Sequence, residues 1–593
     1  MESSAPPLKR WRLLPHDRHA VEALARSLRV PPLVAQLLLN RGLHHPEEAR
    51  RFLDCPLSGL HAPQLLPGID QAVDRLLAAI SQQKPICVYG DYDVDGVTGS
   101  TILISVLRLL GAKPRLHIPH RLEEGYGLNV QALRQLASEG IRVVVTVDCG
   151  IASLAEAQEA RRLGIELIVT DHHEMKPELP EAAVLVHPRL PGSRYPFGQL
   201  CGAGVALKLA WALAQRTSGG EKVTPLFREF LLDAVAFAAL GVVADVVPLT
   251  DENRILVRYG LSRLRTKPPL GIDMLREVAG VPLDDLRSSD IGFKLAPRLN
   301  AAGRLGKARL AVDLLLATGR ERAVALARQL ESLNEERQQL EREMLAKARE
   351  LIALQQLADA PALVLADATW HAGVVGIVAG RLAESYGRPA LLITLPSGDS
   401  GLHSQLAVGS GRSFGQLALH EALNACGDLL LGHGGHAAAA GFRLEADKVE
   451  AFRERFCEVV GRYFPEGPPP PELVLDAEAP LASLTPRVLQ DINRLEPYGA
   501  DNRKPLFLLS GLKVEGEPRL VGKASNHLQF RIRQNGLVMK AIAWGMANRL
   551  SELMSNGGDC SLVVSLKRND YQGRVYVDLE VVDLQARAEP LLG

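Results

Sequence analysis

Between residues 84 and 190, short apolar runs alternate along the chain with longer amphipathic stretches. The apolar runs have the continuous hydrophobic character of strands that are buried on both faces; they are PICVY, RLHIP, RVVVTVD, ELIVTD and AAVLVHP. The stretches between them have helical periodicity, as in TGSTILISVLRLLGA and NVQALRQLASEG. Buried strands separated by helices predict an α/β fold built on a doubly wound parallel sheet.

The remaining patterns predict several further regions. Residues 321–353 form one long amphipathic helix with a highly charged outer face, typical of a connector between lobes. The run PEGPPPPE has no place in a helix or a central strand, and the alternating runs after it, with tight turns such as QNG, are typical of a small barrel. We therefore predict an N-terminal helical lead-in over 1–65, an α/β domain over 66–290, a helical connector over 291–353, a second α/β domain over 354–464, a Pro-rich linker over 465–475 and an OB-type β-barrel over 476–593.

Composition places the chain among ordinary soluble proteins. Its 593 residues are 47% apolar and 23% charged, enough for about three or four domains. Lys+Arg and Asp+Glu balance at 68 each, which is only weak evidence against nucleic-acid binding, because acidic metal ligands can offset a basic groove. The 7 Cys include no CxxC pair, which favours a reducing compartment and disfavours zinc. Since MESSAPPLKRWRLL lacks an apolar signal-peptide core and no apolar run approaches about 18 residues, we expect a cytoplasmic protein.

The first candidate chemistry lies in YGDYDVDGVTGS, where Asp91, Asp93 and Asp95 occupy alternate positions. A calcium-binding EF-hand loop that begins at Asp91 would need Glu at its twelfth position, where this chain has Ile102. The flanking run KPICVY is also strand-like rather than helical. This stretch alone leaves two interpretations open, a polar turn without a ligand and a metal site of another kind.

Acidic residues and histidines recur at the ends of the predicted strands. The positions are Asp91 and Asp93 after the first strand, Asp148 after the third, and Asp171, His172 and His173 after the fourth, with Asp245 interrupting a later apolar helix. Ligands of open parallel sheets bind at the carboxyl ends of the strands. A single such carboxylate is commonly a helix cap, but this many without Lys or Arg in the same motifs require a cation. Mixed oxygen and nitrogen ligands suit Mn²⁺ or Mg²⁺.

These motifs carry a family resemblance. GDYDVDGVTGS, VTVDCGI, TDHHE and GVVADVVPL resemble, in order and spacing, the successive motifs of the DHH phosphoesterase superfamily. Within it, the chain resembles the RecJ family of single-strand-specific DNA exonucleases over nearly its whole length, through stretches such as IPHRLEEGYGLN, LAPRLNAAGRLG, WHAGVVGIVAGRLAE, GSGRS, GHGGHAAAAGF and LEPYGADNRKPLF. The resemblance implies a DHH domain over 66–290, a DHH-associated substrate-binding domain over 354–464 and a single-strand-binding OB-fold over 476–593.

The resemblance also implies roles for individual residues. Metal ligands are expected at Asp91, Asp93, Asp148, His172 and Asp245, with Asp148 bridging two ions. His173 is expected to face the scissile phosphate, and Asp95 and Asp171 to support the ligands from behind. Substrate-facing positions are expected at Arg121, Arg298, Asn300, Arg304, Ser410, Arg412, Gly434, Gly435 and His436. Some relatives carry His where this chain has Tyr89, so one further ligand is absent here.

Three of these stretches also admit structural interpretations. PRLNAAGR brings Arg298, Asn300 and Arg304 close together, either to bind phosphate or as a solvated basic turn. GHGGHAAAAGF either lets a backbone approach a ligand closely or begins a tightly packed helix. In the barrel, the aromatic residues either stack on bases or belong to the core; they are Phe507, Phe530 and Trp544.

The resemblance implies a single-stranded-DNA-specific 5′→3′ exonuclease that hydrolyses phosphodiester bonds with two Mn²⁺ or Mg²⁺ ions, in DNA repair and recombination. One alternative is a phosphoesterase of the same superfamily that cuts oligoribonucleotides or cyclic dinucleotides, but such relatives lack the connector and barrel. Another is a non-catalytic replication scaffold, although no motif acid is missing here. We expect a monomer that binds single-stranded DNA and no membrane. The physiological metal, activity on RNA, and docking of a single-strand-binding protein or a helicase are left open.

Overall fold

A computed structural model describes residues 9–121, 124–396 and 406–586. The chain forms two compact units. As far as it is described, the first contains Ala62–Asp245 and Gly260–Pro471, and the second contains Arg10–His61, Val246–Tyr259 and Glu472–Gly593. The N-terminal elements are β1 (Arg10–Leu13), α1 (Arg18–Leu28), α2 (Pro32–Leu39) and α3 (Pro46–Asp54).

The first lobe is built on the predicted parallel sheet. Its elements are α4 (Ile69–Ser81), β2 (Ile86–Tyr89), α5 (Val94–Leu109), β3 (Arg115–His117), α6 (Val130–Ser138), β4 (Val143–Thr146), α7 (Leu154–Arg162), β5 (Glu166–Thr170) and β6 (Val184–Val186). All pairings are parallel, in the order β3-β2-β4-β5-β6. β2 and β4 are buried throughout, as the continuous apolar runs predict. The strand order reverses between β2 and β4, which is where open α/β sheets bind their ligands.

Helices follow the first lobe and lead to the second. They are α8 (Gly202–Ser218), α9 (Pro225–Ala244), α10 (Asp251–Thr266), α11 (Leu270–Val278), α12 (Ser288–Asp290), a π-helical turn (Ile291–Leu295), α13 (Ala296–Arg304), α14 (Arg309–Leu315) and α15 (Arg320–Leu354). α8 and α9 pack against α5 with largely buried faces. α15 confirms the prediction of one long helix over 321–353.

The second lobe is a smaller α/β layer. Its elements are β7 (Leu363–Asp367), α16 (Val375–Tyr386), β8 (Ala390–Thr394), β9 (Leu406–Arg412), α17 (Leu419–Asn424), β10 (Gly432–Gly435), β11 (Ala439–Glu445) and α18 (Val449–Tyr463). The strand order is β10-β11-β9-β8-β7, and only β7 and β8 are parallel. GHGGHAAAAGF is therefore a β-hairpin and not a helix start. β11 alternates buried and exposed side chains, a period of two that excludes a helix.

The C-terminal region forms the predicted barrel. Its elements are β12 (Glu472–Leu475), β13 (Ala477–Glu478), α19 (Pro486–Asn493), β14 (Phe507–Val521), β15 (His527–Gln534), β16 (Leu537–Ala543), α20 (Leu550–Met554), β17 (Asp559–Tyr571) and β18 (Arg574–Gln585). The sheet runs β14-β15-β16-β18-β17 and closes through pairing of β14 with β17, while β16 and β18 are parallel. Among the described residues, every helix is too short or too polar to traverse a lipid bilayer.

The N-terminal helices share a hydrophobic core with this barrel. Val34, Leu37 and Leu38 of α2 belong to the same buried cluster as Phe507 and Leu562. β1 also pairs in parallel with β12, so the end of the predicted 465–475 linker is a strand. The predicted boundary at residue 65 divides the chain by sequence position alone. In the structure, residues 10–61 belong to the same compact unit as the C-terminal region.

Candidate metal centre

The acidic turn after β2 is held by backbone geometry at the start of α5. Asp93 is the N-cap of α5, and its side chain accepts a hydrogen bond from the Gly96 N–H at 3.0 Å. Asp91, two residues earlier, is buried. A Cβ atom at Gly96 would lie 2.6 Å from the Cβ atom of Asp91, so only glycine permits this approach. The stretch is therefore a strand–turn–helix junction that gathers carboxylates, not a calcium loop.

Asp148 occupies a strained position at the end of β4. Its φ angle is 64°, in the left-handed region that non-glycine residues rarely adopt. The Asp148 N–H donates to the Thr170 carbonyl at 3.1 Å, which pins this turn to the neighbouring strand. A Cβ atom at Gly202 would lie 2.6 Å from the Cβ atom of Asp148, so the start of α8 touches the carboxylate. The strain is maintained at the sheet's ligand-binding edge.

Asp171 fixes the turn after β5. Its Oδ2 accepts the Ile151 N–H at 3.0 Å, and its Oδ1 accepts the His172 N–H at 2.7 Å. The Nδ1 atom of His173 also lies 2.8 Å from Oδ1. Burial opposes ionisation of this carboxyl, but the hydrogen bond and charge of His173 outweigh it and lower the pKa of Asp171 to about 2. Asp171 is thus an ionised acceptor whose oxygens are already engaged.

The two histidines of this turn have opposite electrostatics. Burial lowers the pKa of His172 to about 4, so its imidazole is neutral at pH 7. Its Nε2 atom lies 3.0 Å from Asp148 Oδ1 and 3.6 Å from Asp245 Oδ2. Burial would also lower the pKa of His173, but the hydrogen bond and charge of Asp171 raise it to about 9. His173 is therefore a cation with a 32% exposed side chain, and His172 is a neutral nitrogen among carboxylates.

Two residues that sequence reasoning missed hold the main chain of the histidine pair. His187 accepts the Arg189 N–H at Nδ1, which leaves Nε2 as the donor to the His173 carbonyl at 2.8 Å. The Arg189 side chain donates to the His172 carbonyl at 2.6 Å. Both residues lie just after β6, whereas the histidine pair follows β5. Their contacts become visible only when these two parallel strands are placed side by side.

Asp95 and Asp245 complete the acidic cluster. Asp95 accepts the Gly202 and Ala203 N–H groups at 2.5 and 2.9 Å, at the positive N-terminus of α8. Its Oδ2 still lies 3.7 Å from Nε2 of His172. Asp245 is the C-cap residue of α9, and burial followed by the charges of Asp95 and Asp93 raises its pKa to about 9.

The cluster fits a divalent cation. Three sets of ligand atoms lie within 4.8 Å of one another: Asp91, Asp93 and Asp148; Asp95, His172 and Asp245; and Asp148, His172 and His173. Four buried ligand atoms of the cluster have no hydrogen-bond partner among the described residues, namely Asp91 Oδ1, Asp148 Oδ1, His172 Nε2 and Asp245 Oδ2. Burial and neighbouring carboxylates raise the pKa values of Asp91 and Asp148 well above the ordinary range. Orphaned, mutually repelling oxygens are the expected signature of a site shaped for hard metal ions.

A cationic pocket formed by residues of both lobes and of α13 lies near this cluster. Arg304 donates to the Gly373 carbonyl at 3.1 Å, just before α16. Burial, followed by the charges of Arg121 and Arg412, lowers the pKa of Arg304 to about 10. Arg121 lies over the Tyr92 ring, with its guanidinium carbon 4.8 Å from the centroid. Guanidinium groups gathered in this way favour an anion between them. We call Arg121, Arg304, Ser410 and Arg412 the arginine pocket.

Ser410 and Arg412 lie beside the N-terminal turn of α16. A Cβ atom at Gly376 would lie 2.8 Å from Ser410 Oγ and 3.5 Å from an Arg412 guanidinium nitrogen. The serine hydroxyl, the arginine and the first turn of α16 therefore converge on one point, where the helix dipole favours negative charge.

Two predicted substrate-facing residues are engaged elsewhere. Both side-chain nitrogens Nε and Nη2 of Arg298 bond the carboxylate of Glu331 on α15, so this arginine is not a free phosphate donor. The substrate-facing role of Arg298 stays a prediction, and the structure adds that its guanidinium is already paired with Glu331. Asn300 uses its Oδ1 atom to accept the Val94 N–H at 3.1 Å, which supports the acidic turn from behind. Sequence could not show either contact, because each joins helices far apart in the chain.

The glycine motif of the second lobe lies next to the arginine pocket in the sheet. Gly434 and Gly435 belong to β10, and the His436 N–H donates to the Ala439 carbonyl at 2.8 Å. Ala439 pairs with Arg412 of β9. The three motif residues are exposed, so the hairpin presents a bare backbone and one imidazole beside the pocket.

Two tyrosines near the acidic cluster differ in what their hydroxyl groups contact. Tyr89, at the position where some relatives carry His, is fully buried and donates to the Gly127 carbonyl at 3.1 Å, so its hydroxyl serves the core. Tyr126 donates to the Asp148 carbonyl at 3.0 Å, and its hydroxyl lies 3.0 Å from Nδ1 of His173. Tyr126 is a site residue that sequence reasoning missed, although it stands in the quoted stretch IPHRLEEGYGLN.

Within the barrel unit, the three candidate aromatic residues differ in exposure. Phe507 and Phe530 are core residues with 0% and 3% exposure, whereas Trp544 is 50% exposed. Trp544 lines a cleft together with Lys540, Ala541, Ile542, Lys567, Arg568, Asn569 and Asp578. An exposed indole among cations has the composition of a base-stacking surface.

Family models match the three main regions of the chain. The DHH family, N-terminal domain, matches residues 85–239, the DHHA1 domain matches 359–462, and the RecJ OB domain matches 475–583. The acidic cluster lies in or beside the first region, Ser410 and Arg412 of the arginine pocket lie in the second, and the Trp544 cleft lies in the third.

Curated and solved proteins match nearly the full chain. The single-stranded-DNA-specific exonuclease RecJ of Bacillus subtilis (strain 168) is 38% identical over 97% of this chain and 70% of its own length. The crystal structure of RecJ from Thermus thermophilus in complex with Mn²⁺ covers 98% of this chain and 80% of that chain, with a TM-score of 0.82 and 34% identity. The corresponding Mg²⁺ complex covers 98% and 79%, with a TM-score of 0.75 and 32% identity.

Proposed function

This chain belongs to the RecJ family of single-stranded-DNA-specific exonucleases, and we propose that it hydrolyses single-stranded DNA in the 5′→3′ direction with two divalent metal ions. The family membership rests on relatives that match almost the entire chain. The direction, the number of ions and the role of each residue are our proposals.

One observation carries the proposal. In the part of the chain that the structure describes, the buried ligand atoms of Asp91, Asp148, His172 and Asp245 converge without hydrogen-bond partners at the switch point of the parallel sheet. Burying several carboxylates together is unfavourable unless cations neutralise them. The cost of this arrangement, together with the strained backbone of Asp148, supports a metal-dependent reaction centre over a structural role.

We assign the ligands to two groups. Asp91, Asp93 and Asp148 would hold one Mn²⁺ or Mg²⁺ ion. His172 would hold the other together with Asp148 and Asp245, whose oxygens lie 3.0 and 3.6 Å from its Nε2 atom. Asp95 is tied by two N–H groups of α8, which supports an orienting role behind the ligands. When bound, the ions supply Lewis acidity and offset the negative charge that builds on the phosphate oxygens.

His173 supplies a fixed positive group to the same site. Asp171 holds its Nδ1 atom, and the raised pKa of His173 keeps the imidazole protonated at neutral pH. We propose that this imidazolium donates a hydrogen bond to a non-bridging oxygen of the scissile phosphate and stabilises the charge that develops there. Tyr126 and His187 limit how far the ring and its main chain can move.

The arginine pocket would bind the 5′ end. A terminal phosphate carries more negative charge than an internal one, and Arg121, Arg304 and Arg412 with Ser410 form a donor set that matches it. A strand held by its 5′-phosphate in this pocket would present a following phosphodiester to the acidic cluster. Repeated binding of each new 5′ end would then give 5′→3′ degradation.

In the barrel unit, we propose that the Trp544 cleft binds unpaired strand. Its lysines and arginine would contact the phosphates, and the indole would stack on a base without regard to sequence. This surface would hold long substrates and take no part in the chemistry. Single-stranded DNA is therefore the proposed substrate, with duplex DNA excluded because its bases are already stacked.

The decisive experiment digests single and double strands labelled at either end, with Mn²⁺, Mg²⁺ or a chelator. We expect rapid release of a 5′ label from single strands, little attack on duplexes and no reaction with chelator. Release of the 3′ label first would overturn the proposed direction. A preference for very short oligoribonucleotides or cyclic dinucleotides would instead favour a small-substrate phosphoesterase.

We further propose that the protein acts as a cytoplasmic monomer in DNA repair and recombination. A helicase and a single-strand-binding protein are the partners that such a role would require, because they supply and occupy the unpaired substrate. Size-exclusion chromatography with light scattering tests the monomer, and pull-down from lysate with tagged enzyme tests the partners.

A further inference from the structure

Polar contacts join three helices of the first compact unit into a closed arrangement. Arg298 of α13 forms a two-point ion pair with Glu331 of α15. At the other end of α13, Arg304 donates to the Gly373 carbonyl at 3.1 Å, at the entrance to α16. α13 is therefore tied separately to α15 and to α16.

A buried carboxylate of α15 makes the third connection. Glu341 is 1% exposed, and its Oε2 accepts the Arg337 Nη1–H at 2.6 Å. Its Oε1 pairs with Nε of Arg381, which belongs to α16. Asn334 completes the set, because its Oδ1 accepts the Arg337 Nη2–H at 2.7 Å. The three helices are thus linked pairwise by polar contacts, and we call this arrangement the helix clamp.

The helix clamp lies beside the arginine pocket. Burial comes first in lowering the pKa of Arg304, followed by the charges of Arg121, Arg412 and Arg337. The charge of Arg337 thus contributes to the lowered pKa of Arg304, and Glu341 is the carboxylate that the Arg337 guanidinium contacts. Glu341 pairs with both Arg337 and Arg381, so its negative charge offsets two guanidinium groups near the arginine pocket.

Mechanical support alone does not explain a charged group here. Buried ion pairs can often be replaced by packed apolar residues without loss of stability, so two helices need no carboxylate to stay together. The ion pair between Glu341 and Arg381 adds an electrostatic attraction that favours one placement of α16 along α15. The first turn of α16 touches Ser410 and Arg412, so that placement sets the shape of the arginine pocket.

We propose that Glu341 is a positioning residue that sets the selectivity of the enzyme for 5′-phosphorylated ends. Glu341 contacts Arg337 of its own helix and Arg381 of α16, and it acts on the pocket through these two residues without touching the substrate. The inference rests on the proposed recognition of a 5′-phosphate by the arginine pocket. It assigns the pocket's geometry to a residue on the long connecting helix, outside both lobes.

The test compares Glu341→Gln with Glu335→Gln, an exposed glutamate on the same helix. We expect kcat/KM on 5′-phosphorylated strands to fall about tenfold in Glu341→Gln, mainly through KM, with a much smaller change on 5′-hydroxyl strands. Glu335→Gln should match the wild type on both. A variant that is merely less folded loses both activities in proportion, so an unchanged ratio between the two substrates would overturn the proposal.

Hydrogen exchange gives a readout that does not depend on activity. The amides at the start of α16 should exchange faster in Glu341→Gln than in the wild type, and equal exchange would count against the helix clamp. If Glu341→Gln fails to fold, Arg381→Gln, whose side chain is 54% exposed, should shift the same ratio. A wild-type enzyme that ignores the 5′-phosphate would refute the arginine pocket, while exchange at α16 would still test the clamp.

Discussion

The imidazole of His173 is bound to the carboxylate of Asp171, with Nδ1 2.8 Å from Oδ1. This contact holds the ring cationic while the neighbouring His172 stays neutral. Two adjacent histidines therefore differ in charge because only one of them faces an ionised partner that is itself held in place. The difference predicts separate roles in the reaction.

Replacing His173 with Ala should reduce turnover by about 10² or more, the scale of a lost hydrogen-bond donor to the transition state. Metal affinity should change much less, because the ring is turned toward Asp171. Steady-state kinetics and calorimetric titration with Mn²⁺ measure the two effects. His172→Ala is the matched comparison and should weaken metal binding; equal losses of metal affinity in both variants would refute the division.

Asp148→Ala should abolish cleavage and leave a folded protein that still binds single strands. The reason is that Asp148 belongs to both proposed ligand groups, so its loss affects both ions. Circular dichroism, strand binding by anisotropy and turnover with each metal provide the check. Asp447→Ala, at an exposed position in the second lobe, serves as the control. Near-normal turnover of the Asp148 variant would show that the assignment to two ions is wrong.

Arg412→Ala should weaken degradation of 5′-phosphorylated strands more than that of 5′-hydroxyl strands. A charged hydrogen bond to phosphate corresponds to roughly ten- to a hundredfold in kcat/KM. The matched control is Arg443→Ala, an exposed arginine on neighbouring β11. If both substrates lose activity equally, Arg412 does not contact the terminal phosphate.

Trp544→Ala should raise the apparent KM for long single strands by about five- to a hundredfold, as expected for the loss of one stacked base. Very short oligonucleotides should be cut at the normal rate. A point change is cleaner than removing the barrel, because α2 packs in the barrel's core. Leu537→Ala, an exposed apolar residue on the strand that precedes Trp544, is the control. Unaltered binding of long strands by the Trp544 variant would contradict the role of the cleft.

Stability in chelator should fall as the pH rises. Burial and neighbouring carboxylates raise the pKa of Asp245 to about 9, whereas an unfolded Asp has about 3.9. A group with a raised folded pKa contributes stability below its unfolded pKa and loses it as the pH rises through the folded one. The melting temperature in chelator should therefore decline between about pH 5 and pH 9, and less so with Mg²⁺. Asp245→Asn should flatten the decline; an equally steep curve would assign it to other groups.

Local patterns predicted the elements that depend on local physics. The buried strands β2 and β4 have continuous apolar runs, so the positions of Asp91 and Asp148 at their ends followed from the fold class. The long helix α15 and the barrel are also confirmed, because each follows from a periodic pattern of apolar and polar residues within its own segment. The hairpin at Gly434 was left open, because small residues fit both a helix start and a strand.

Contacts between distant segments could not be predicted. The pairing of Arg298 with Glu331 is one example, because the two residues lie on different helices. Tyr126 lies between β3 and α6 in the sequence, and its contacts with Asp148 and His173 join it to turns that follow other strands. The resemblance alone led us to expect that Asp171 and Asp95 support the metal ligands and are not ligands themselves. Their hydrogen bonds to backbone N–H groups give that expectation a physical basis.

The two ends of the chain complete one hydrophobic core, and this sets an order for its synthesis. On a ribosome, Val34, Leu37 and Leu38 emerge early, but Phe507 and Leu562, which share their buried cluster, are made near the end. The apolar faces of the N-terminal helices therefore remain exposed while both lobes are translated and fold. A nascent chain stalled before β14 would present that surface to chaperones, and synthesis of β14 to β18 is the event that lets this core close.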